Sequence, residues 1–84
     1  MRRIWFGRSE CRGAAVSYYL VVEEAAEVER YGLQVCYGDE RETVSDITSS
    51  QRQIQSLLGT MAHGAVTPAA ARDVVEDWLN GQEV

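Results

Sequence analysis

Alternation of apolar and polar positions predicts a first β-strand at residues 16–24. Every second residue there falls on one of two faces: Val16, Tyr18, Leu20 and Val22 on one, and Ser17, Tyr19, Val21 and Glu23 on the other. β-branched and aromatic side chains dominate the segment, as is typical of a pleated surface. The run "AAEVE" after it is expected to turn the chain.

Two further strands follow with weaker patterns. Residues 28–38 alternate in the same way, which indicates one buried and one wetter face. Gly38 and Asp39 mark a tight turn. Residues 41–47 then form a short, polar strand, and its charged side chains suit the edge of a sheet.

The second half of the chain carries two apolar stripes at helical spacing. In each stripe, apolar residues recur at positions i, i+3, i+4, i+7 and i+8. The first stripe is Ile54, Leu57, Leu58, Met61 and Ala62, and the second is Ala71, Val74, Val75, Trp78 and Leu79. Two amphipathic helices are therefore predicted.

Residues at the ends of these stripes predict where the helices begin and end. Thr48 and Gln51 match a capping box at the start of the first helix, and Gly64 is expected to end it in the left-handed conformation. Thr67 is the expected N-cap of the second helix, with Pro68 at its first position. The short connection predicts a helical hairpin.

Together these elements predict an α+β fold of two layers, in which a three-stranded antiparallel meander packs against a C-terminal helical hairpin. Residues 14–84 would form this domain, and residues 1–13 a basic N-terminal arm or a fourth strand. Ile4, Trp5 and Phe6 are costly to expose together, so we expect them to pack on the sheet or on another chain.

Length and composition fit a single globular domain. The chain has 84 residues, of which 45% are apolar and 25% charged. No segment approaches the roughly 20 apolar residues that cross a bilayer. The start, "MRRIWFGRSE", lacks the apolar core of a signal peptide. We therefore expect a cytoplasmic protein without membrane contact.

Charge is distributed unevenly along the chain. The net charge is −5, but the first thirteen residues carry four arginines against one glutamate, which is +3, and the remainder carries four arginines against twelve acids, which is −8. Nucleic-acid binding depends on neutralising phosphates with basic side chains, so the acidic body argues against a general nucleic-acid binder.

The residues with chemical potential have simple structural interpretations. Asp73, Glu76 and Asp77 are helical neighbours, which indicates a solvated face or an acidic docking surface for an arginine-bearing partner. His63, the only histidine, lies at a predicted helix C-terminus, where the helix dipole favours its charged form. No catalytic residue, metal ligand or cofactor-binding residue is predicted.

Two cysteines, Cys11 and Cys36, are too few for a disulfide framework and fit no metal-binding spacing. Both are expected to be reduced in a cytosolic protein. Cys36 is expected to be half-buried in its strand, whereas the arginines beside Cys11 leave open that its thiol is reactive.

Three short motifs carry a resemblance that covers residues 18–80. They are Tyr31-Gly32 in the second predicted strand, Asp46 before the first helix, and the run Val75 to Trp78 in the last helix. In these the chain resembles a small family of proteins of unknown function from Gram-positive anaerobes. The resemblance implies no activity, and residues 1–13 lie outside it.

The function predicted from these observations is a non-enzymatic protein-interaction or regulatory module, with a protein partner or a second copy of the chain. Trp5, Phe6 or Tyr19 would anchor the partner. Arg2, Arg3 and Arg8 are further possible partner-binding residues. The alternative is a nucleic-acid-associated regulator that uses the arginine-rich arm. An enzyme or small-molecule role is disfavoured, because so short a chain leaves little room for a pocket.

Overall fold

The computed structural model describes residues 1–81, which form one antiparallel sheet followed by two helices. The strands are β1 (Arg2–Cys11), β2 (Ala14–Ala25), β3 (Val28–Tyr37) and β4 (Glu40–Thr48), and the helices are α1 (Gln51–His63) and α2 (Pro68–Gly81). Strand order in the sheet follows chain order, β1-β2-β3-β4. The α+β fold is confirmed, and the N-terminal segment forms the fourth strand.

Each pair of neighbouring strands is joined by a two-residue turn. Residues 12–13 join β1 to β2, residues 26–27 join β2 to β3, and residues 38–39 join β3 to β4. Positive φ angles at Arg12, Gly13, Ala26 and Glu27 match the primed turns that suit the right-handed twist of a hairpin. The predicted turns at "AAEVE" and at Gly38 are confirmed.

The core lies between the helices and one face of the sheet, which we call the inner face. Buried residues from β2, β3, β4 and both helices pack there: Val16, Tyr18, Leu20, Val22, Tyr31, Leu33, Val35, Val44, Ile47, Ile54, Leu57, Leu58, Met61, Ala71 and Val75. Alternation along β2 and β3 therefore predicted this face correctly. The opposite face, the outer face, is not covered by either helix.

The apolar stripes of the two helices are buried to different degrees. In α1 the first four stripe residues are buried and Ala62 is half-buried. In α2, Val74 and Trp78 pack at the margin of the core. Leu79 is exposed, contrary to the stripe prediction. It lies near the end of α2, which packs mainly against β4 at one edge of the sheet.

The predicted ends of α1 need correction. Thr48 is the last residue of β4, so the helix begins later, and Ser50 is its N-cap, accepting a hydrogen bond from the Gln53 amide at 3.2 Å. The left-handed residue at the C-terminus is Ala65 and not Gly64, whose φ is −89°. Hydrogen bonds of the Schellman type close this end, from Val66 N to Met61 O and from Ala65 N to Ala62 O.

Candidate interaction surface

The two edges of the sheet differ in how they are protected. On β4, the Arg72 side chain of α2 reaches the edge strand, with 2.8 Å to the Glu42 carboxylate and 3.3 Å to the main-chain oxygen of Thr43. β1 forms the other edge, where it pairs only with β2 among the described strands.

The apolar residues of β1 are exposed. Trp5 is 59% exposed, Ile4 43% and Phe6 36%. The prediction that these side chains pack on the sheet is wrong for the single chain: the strand forms, but the three side chains stay exposed on it. The remaining part of that prediction, packing against another chain, stays a prediction.

A β-bulge at Phe6 changes which residues of β1 face the helices. Trp5 pairs with Tyr19 and Gly7 pairs with Tyr18, so Phe6 is the extra residue between two consecutive positions of β2. Directly paired residues lie on the same face of a sheet. Before the bulge, odd-numbered residues such as Trp5 therefore face outward, whereas after it Gly7 faces inward and Arg8, paired with Ser17, faces outward.

The outer face carries a polar network that spans all four strands. The Arg3 guanidinium lies 4.2 Å from the centroid of the Tyr19 ring and donates a hydrogen bond of 2.7 Å to Gln34 Oε1. Gln34 Nε2 donates in turn to Thr43 Oγ1 at 2.9 Å. This outer-face network holds the Arg3 side chain against the sheet. Arg3 and Gln34 are 31 positions apart in the sequence.

The arginines of the predicted basic arm have different environments. Arg2 forms an ion pair with Glu29 at 3.7 Å, and Arg3 belongs to the outer-face network. Arg8 is exposed on the outer face of β1, beyond the bulge. Trp5 thus lies between two outward-facing arginines of the edge strand.

The acidic residues of α2 are on a separate surface. Asp73, Glu76 and Asp77 are all exposed, which agrees with a solvated helix face. Because α2 packs against β3 and β4, this acidic patch lies toward the edge of the sheet opposite β1. The candidate residues predicted from sequence therefore divide into two surfaces, with Arg2, Arg3, Trp5, Phe6 and Arg8 on β1 and the three acids on α2.

Two tyrosines have hydroxyl groups in settings that favour the protonated form. Burial raises the pKa of Tyr18, whose hydroxyl donates a hydrogen bond of 2.8 Å to the main-chain oxygen of Val66. The pKa of Tyr31 is raised chiefly by the hydrogen bond that its hydroxyl donates to the Glu29 carboxylate at 3.0 Å. Both hydroxyl groups stabilise the fold. Tyr18 joins the sheet to the loop between the helices, and Tyr31 is bonded to Glu29 on its own strand.

The remaining candidates for chemistry are dispersed. His63 is exposed at the last residue of α1, as predicted. Both cysteines are free and half-buried, with Cys36 on the outer face beside Gln34 and Cys11 against the core. Within residues 1–81, no three His, Cys, Asp or Glu side chains are grouped as metal ligands would be.

A cavity of about 340 Å³ opens where the turns at one end of the sheet meet the start of α2. Its lining includes Cys11, Arg12, Tyr37 and Thr67. The Tyr37 hydroxyl is used within the wall, since it donates a hydrogen bond of 3.2 Å to the main-chain oxygen of Cys11. The cavity lining therefore contains a thiol, a guanidinium and the carboxylate of Glu40.

The motif residues Tyr31-Gly32 and Asp46 lie together at an irregularity of the β3–β4 pair. Tyr31 pairs with Thr48 and Leu33 with Val44, so β4 has two extra residues opposite Gly32. A Cβ atom on Gly32 would lie 2.3 Å from the Val44 main-chain oxygen. Asp46 adopts a positive φ of 57° in this bulge and forms an ion pair with Arg30. These motif residues therefore have a structural role: Gly32 allows β4 to approach closely, and Asp46 takes the left-handed conformation in the bulge.

A model of the family of unknown function DUF6514 matches residues 5–81, and the chain belongs to this family. No curated protein and no solved structure matches the chain. Among the described residues, none of the helices is both long enough and apolar enough to cross a membrane.

Proposed function

We propose that this DUF6514 domain is a non-enzymatic interaction module that recruits a protein partner through the free edge of β1. The observation that carries the proposal is Trp5, 59% exposed on an edge strand. Aromatic side chains with exposed faces are the commonest anchors of protein interfaces. That the family comes from Gram-positive anaerobes, and that the protein works in the cytoplasm, stay predictions.

The mode of recognition follows from the backbone of β1. An edge strand presents unpaired N–H and C=O groups, and an extended segment of a partner can pair with them as an additional strand. The exposed side chains at positions 4–6 would then supply apolar contact area beside these hydrogen bonds. The opposite edge is less suited to this role, because Arg72 already occupies the main-chain oxygen of Thr43.

The nucleic-acid alternative has less support. Phosphate binding needs free basic side chains, whereas Arg2 is already paired with the Glu29 carboxylate. The net charge of −5 opposes approach to a polyanion. A protein partner accounts for the exposed aromatic residue as well as the arginines.

Affinity capture of the tagged full chain from a native lysate, with and without nuclease, tests the proposal. Trp5→Thr removes the aromatic anchor and keeps strand propensity, and Leu79→Gln removes an exposed apolar residue from α2 as the matched control. We expect a nuclease-resistant partner that is captured by wild type and by Leu79→Gln and is lost with Trp5→Thr. Capture that is unaffected by Trp5→Thr, or that disappears with nuclease, would contradict the proposal.

A further inference from the structure

We propose that the partner strand is β1 of a second copy of this chain, paired antiparallel about a two-fold axis between Phe6 and Gly7. This inference rests on the proposed function and specifies its partner. The two sheets would then join through their β1 edges into one continuous sheet. A two-fold interface needs a self-complementary surface, and the sequence of β1 supplies one.

The bulge at Phe6 restricts which registers are possible. Paired residues must lie on the same face, and in β1 the outward-facing residues are Arg3 and Trp5 before the bulge and Arg8 and Glu10 after it. A two-fold axis through Phe6 would pair Trp5 with Gly7, and an axis through Gly7 would pair Trp5 with Ser9. In both cases an outward-facing residue would lie opposite an inward-facing residue. For pairs that set a residue before the bulge opposite a residue after it, only an axis between two residues matches the faces.

Charge selects one register among those that remain. With the axis between Phe6 and Gly7, Arg3 lies opposite Glu10 of the second copy and Trp5 opposite Arg8. Moving the axis by one residue toward the N-terminus sets Arg3 against Arg8, two like charges. Moving it the other way sets Trp5 against Glu10.

The selected register gives each favourable pair twice. Symmetry repeats the opposite charges of Arg3 and Glu10, and a guanidinium meets an exposed indole at Trp5 and Arg8, a pairing of the cation–π type. Arg2 already has Glu29 as a counter-ion, and Arg12 lies in the turn beyond β1. The arginines that meet the second copy therefore have partners in this register.

Sedimentation equilibrium of the full chain, with charge reversals, tests the register. We expect wild type to be a dimer. Glu10→Arg alone and Arg3→Glu alone each set like charges opposite one another in two places and should weaken dimerisation by about tenfold or more. The double reversal, Arg3→Glu with Glu10→Arg, should restore it. Glu40→Arg on β4 is the matched control and should leave the dimer unchanged.

Three results would overturn the inference. They are a monomer at every concentration, single reversals without effect, and a double variant as weak as the single ones. The second-copy inference can fail while the proposed function holds. If wild type is a monomer but Trp5→Thr still abolishes capture of another protein from lysate, the second-copy inference is wrong and the interaction module stands. If Trp5→Thr changes neither self-association nor capture, both are wrong.

Discussion

The Tyr18 hydroxyl donates a hydrogen bond to the main-chain oxygen of Val66, with 2.8 Å between the two oxygens. This contact ties the loop between the helices to the second strand of the sheet, and Tyr18 is fully buried. We expect Tyr18→Phe to lower the free energy of unfolding by about 0.5–1.5 kcal/mol, because it removes the hydrogen bond to the carbonyl of half-buried Val66. Denaturant unfolding measures the loss.

Tyr19→Phe is the matched control for this measurement. Tyr19 is the next residue of the same strand and faces outward, where its ring lies under Arg3. We expect a change below about 0.5 kcal/mol, in the range of surface substitutions. Equal losses in the two variants would show that the Val66 contact does not stabilise the fold.

The raised pKa of Tyr18 and of Tyr31 predicts a loss of stability at alkaline pH. Above about pH 10 the unfolded chain releases phenolic protons that the folded chain retains. Protons bound in excess by the folded state make the free energy of unfolding fall as pH rises, so the stabilisation is complete below pH 10 and is lost above it.

Urea unfolding of wild type and Tyr18→Phe between pH 8 and pH 11 measures this effect. We expect the stability of wild type to fall more steeply than that of Tyr18→Phe, since the variant retains only the Tyr31 contribution. Parallel curves would contradict the role of burial at Tyr18.

Ala65 offers a site for stabilisation. Its φ of 51° is in the left-handed region, which costs a residue with a Cβ roughly 1 kcal/mol. Ala65→Gly should therefore raise the free energy of unfolding by about 0.5–1 kcal/mol. Ala70→Gly, on the exposed surface of α2, is the control with opposite sign and should lower it by about 1 kcal/mol. Thermal unfolding of both variants checks the pair, and a loss at Ala65→Gly would refute the strain argument.

Gly32 is expected to tolerate no side chain. Because an added Cβ would lie 2.3 Å from the Val44 main-chain oxygen and 2.9 Å from Ser45 Cα, the bulge of β4 would have to move. We expect Gly32→Ala to cost about 3 kcal/mol or more. Gly59→Ala, in α1 with no atom near the added Cβ, should instead stabilise by about 0.5–1 kcal/mol. Circular dichroism during heating separates the two outcomes.

The central strands of the fold were predictable because their alternation is regular. In β2 and β3 one face is buried without interruption, and periodicity detects such a pattern. β1 was left open between arm and strand, since the bulge at Phe6 breaks its alternation. The edge position of β4 followed from its charged residues.

Local rules predicted that α1 exists but not where it starts and stops. Thr48 is an acceptable N-cap, yet β4 continues through it, so Ser50 takes that role. Gly64 is the best residue for a left-handed end, but the helix extends one position further and places Ala65 there. In both cases the geometry of neighbouring elements outweighed residue preference.

The sequence identified which residues belong to the candidate site, but it did not predict how their side chains contact the rest of the sheet. Trp5 and the arginines of β1 stood out in the sequence, but the contact of Arg3 with Gln34 joins residues 31 positions apart and depends on strand register. The shielding of β4 by Arg72 depends on how α2 packs against that strand. Neither has a local sequence signal.

Amide hydrogen exchange of the wild-type chain over a wide range of protein concentration tests the use of the β1 edge most directly. If a second copy pairs with β1, the amides of residues 2–11 should exchange more slowly as concentration rises, while those of β4 keep the same rate. Exchange in β1 that is independent of concentration, or protection that rises in β4 instead, would contradict the claim that β1 is the docking strand for a second copy.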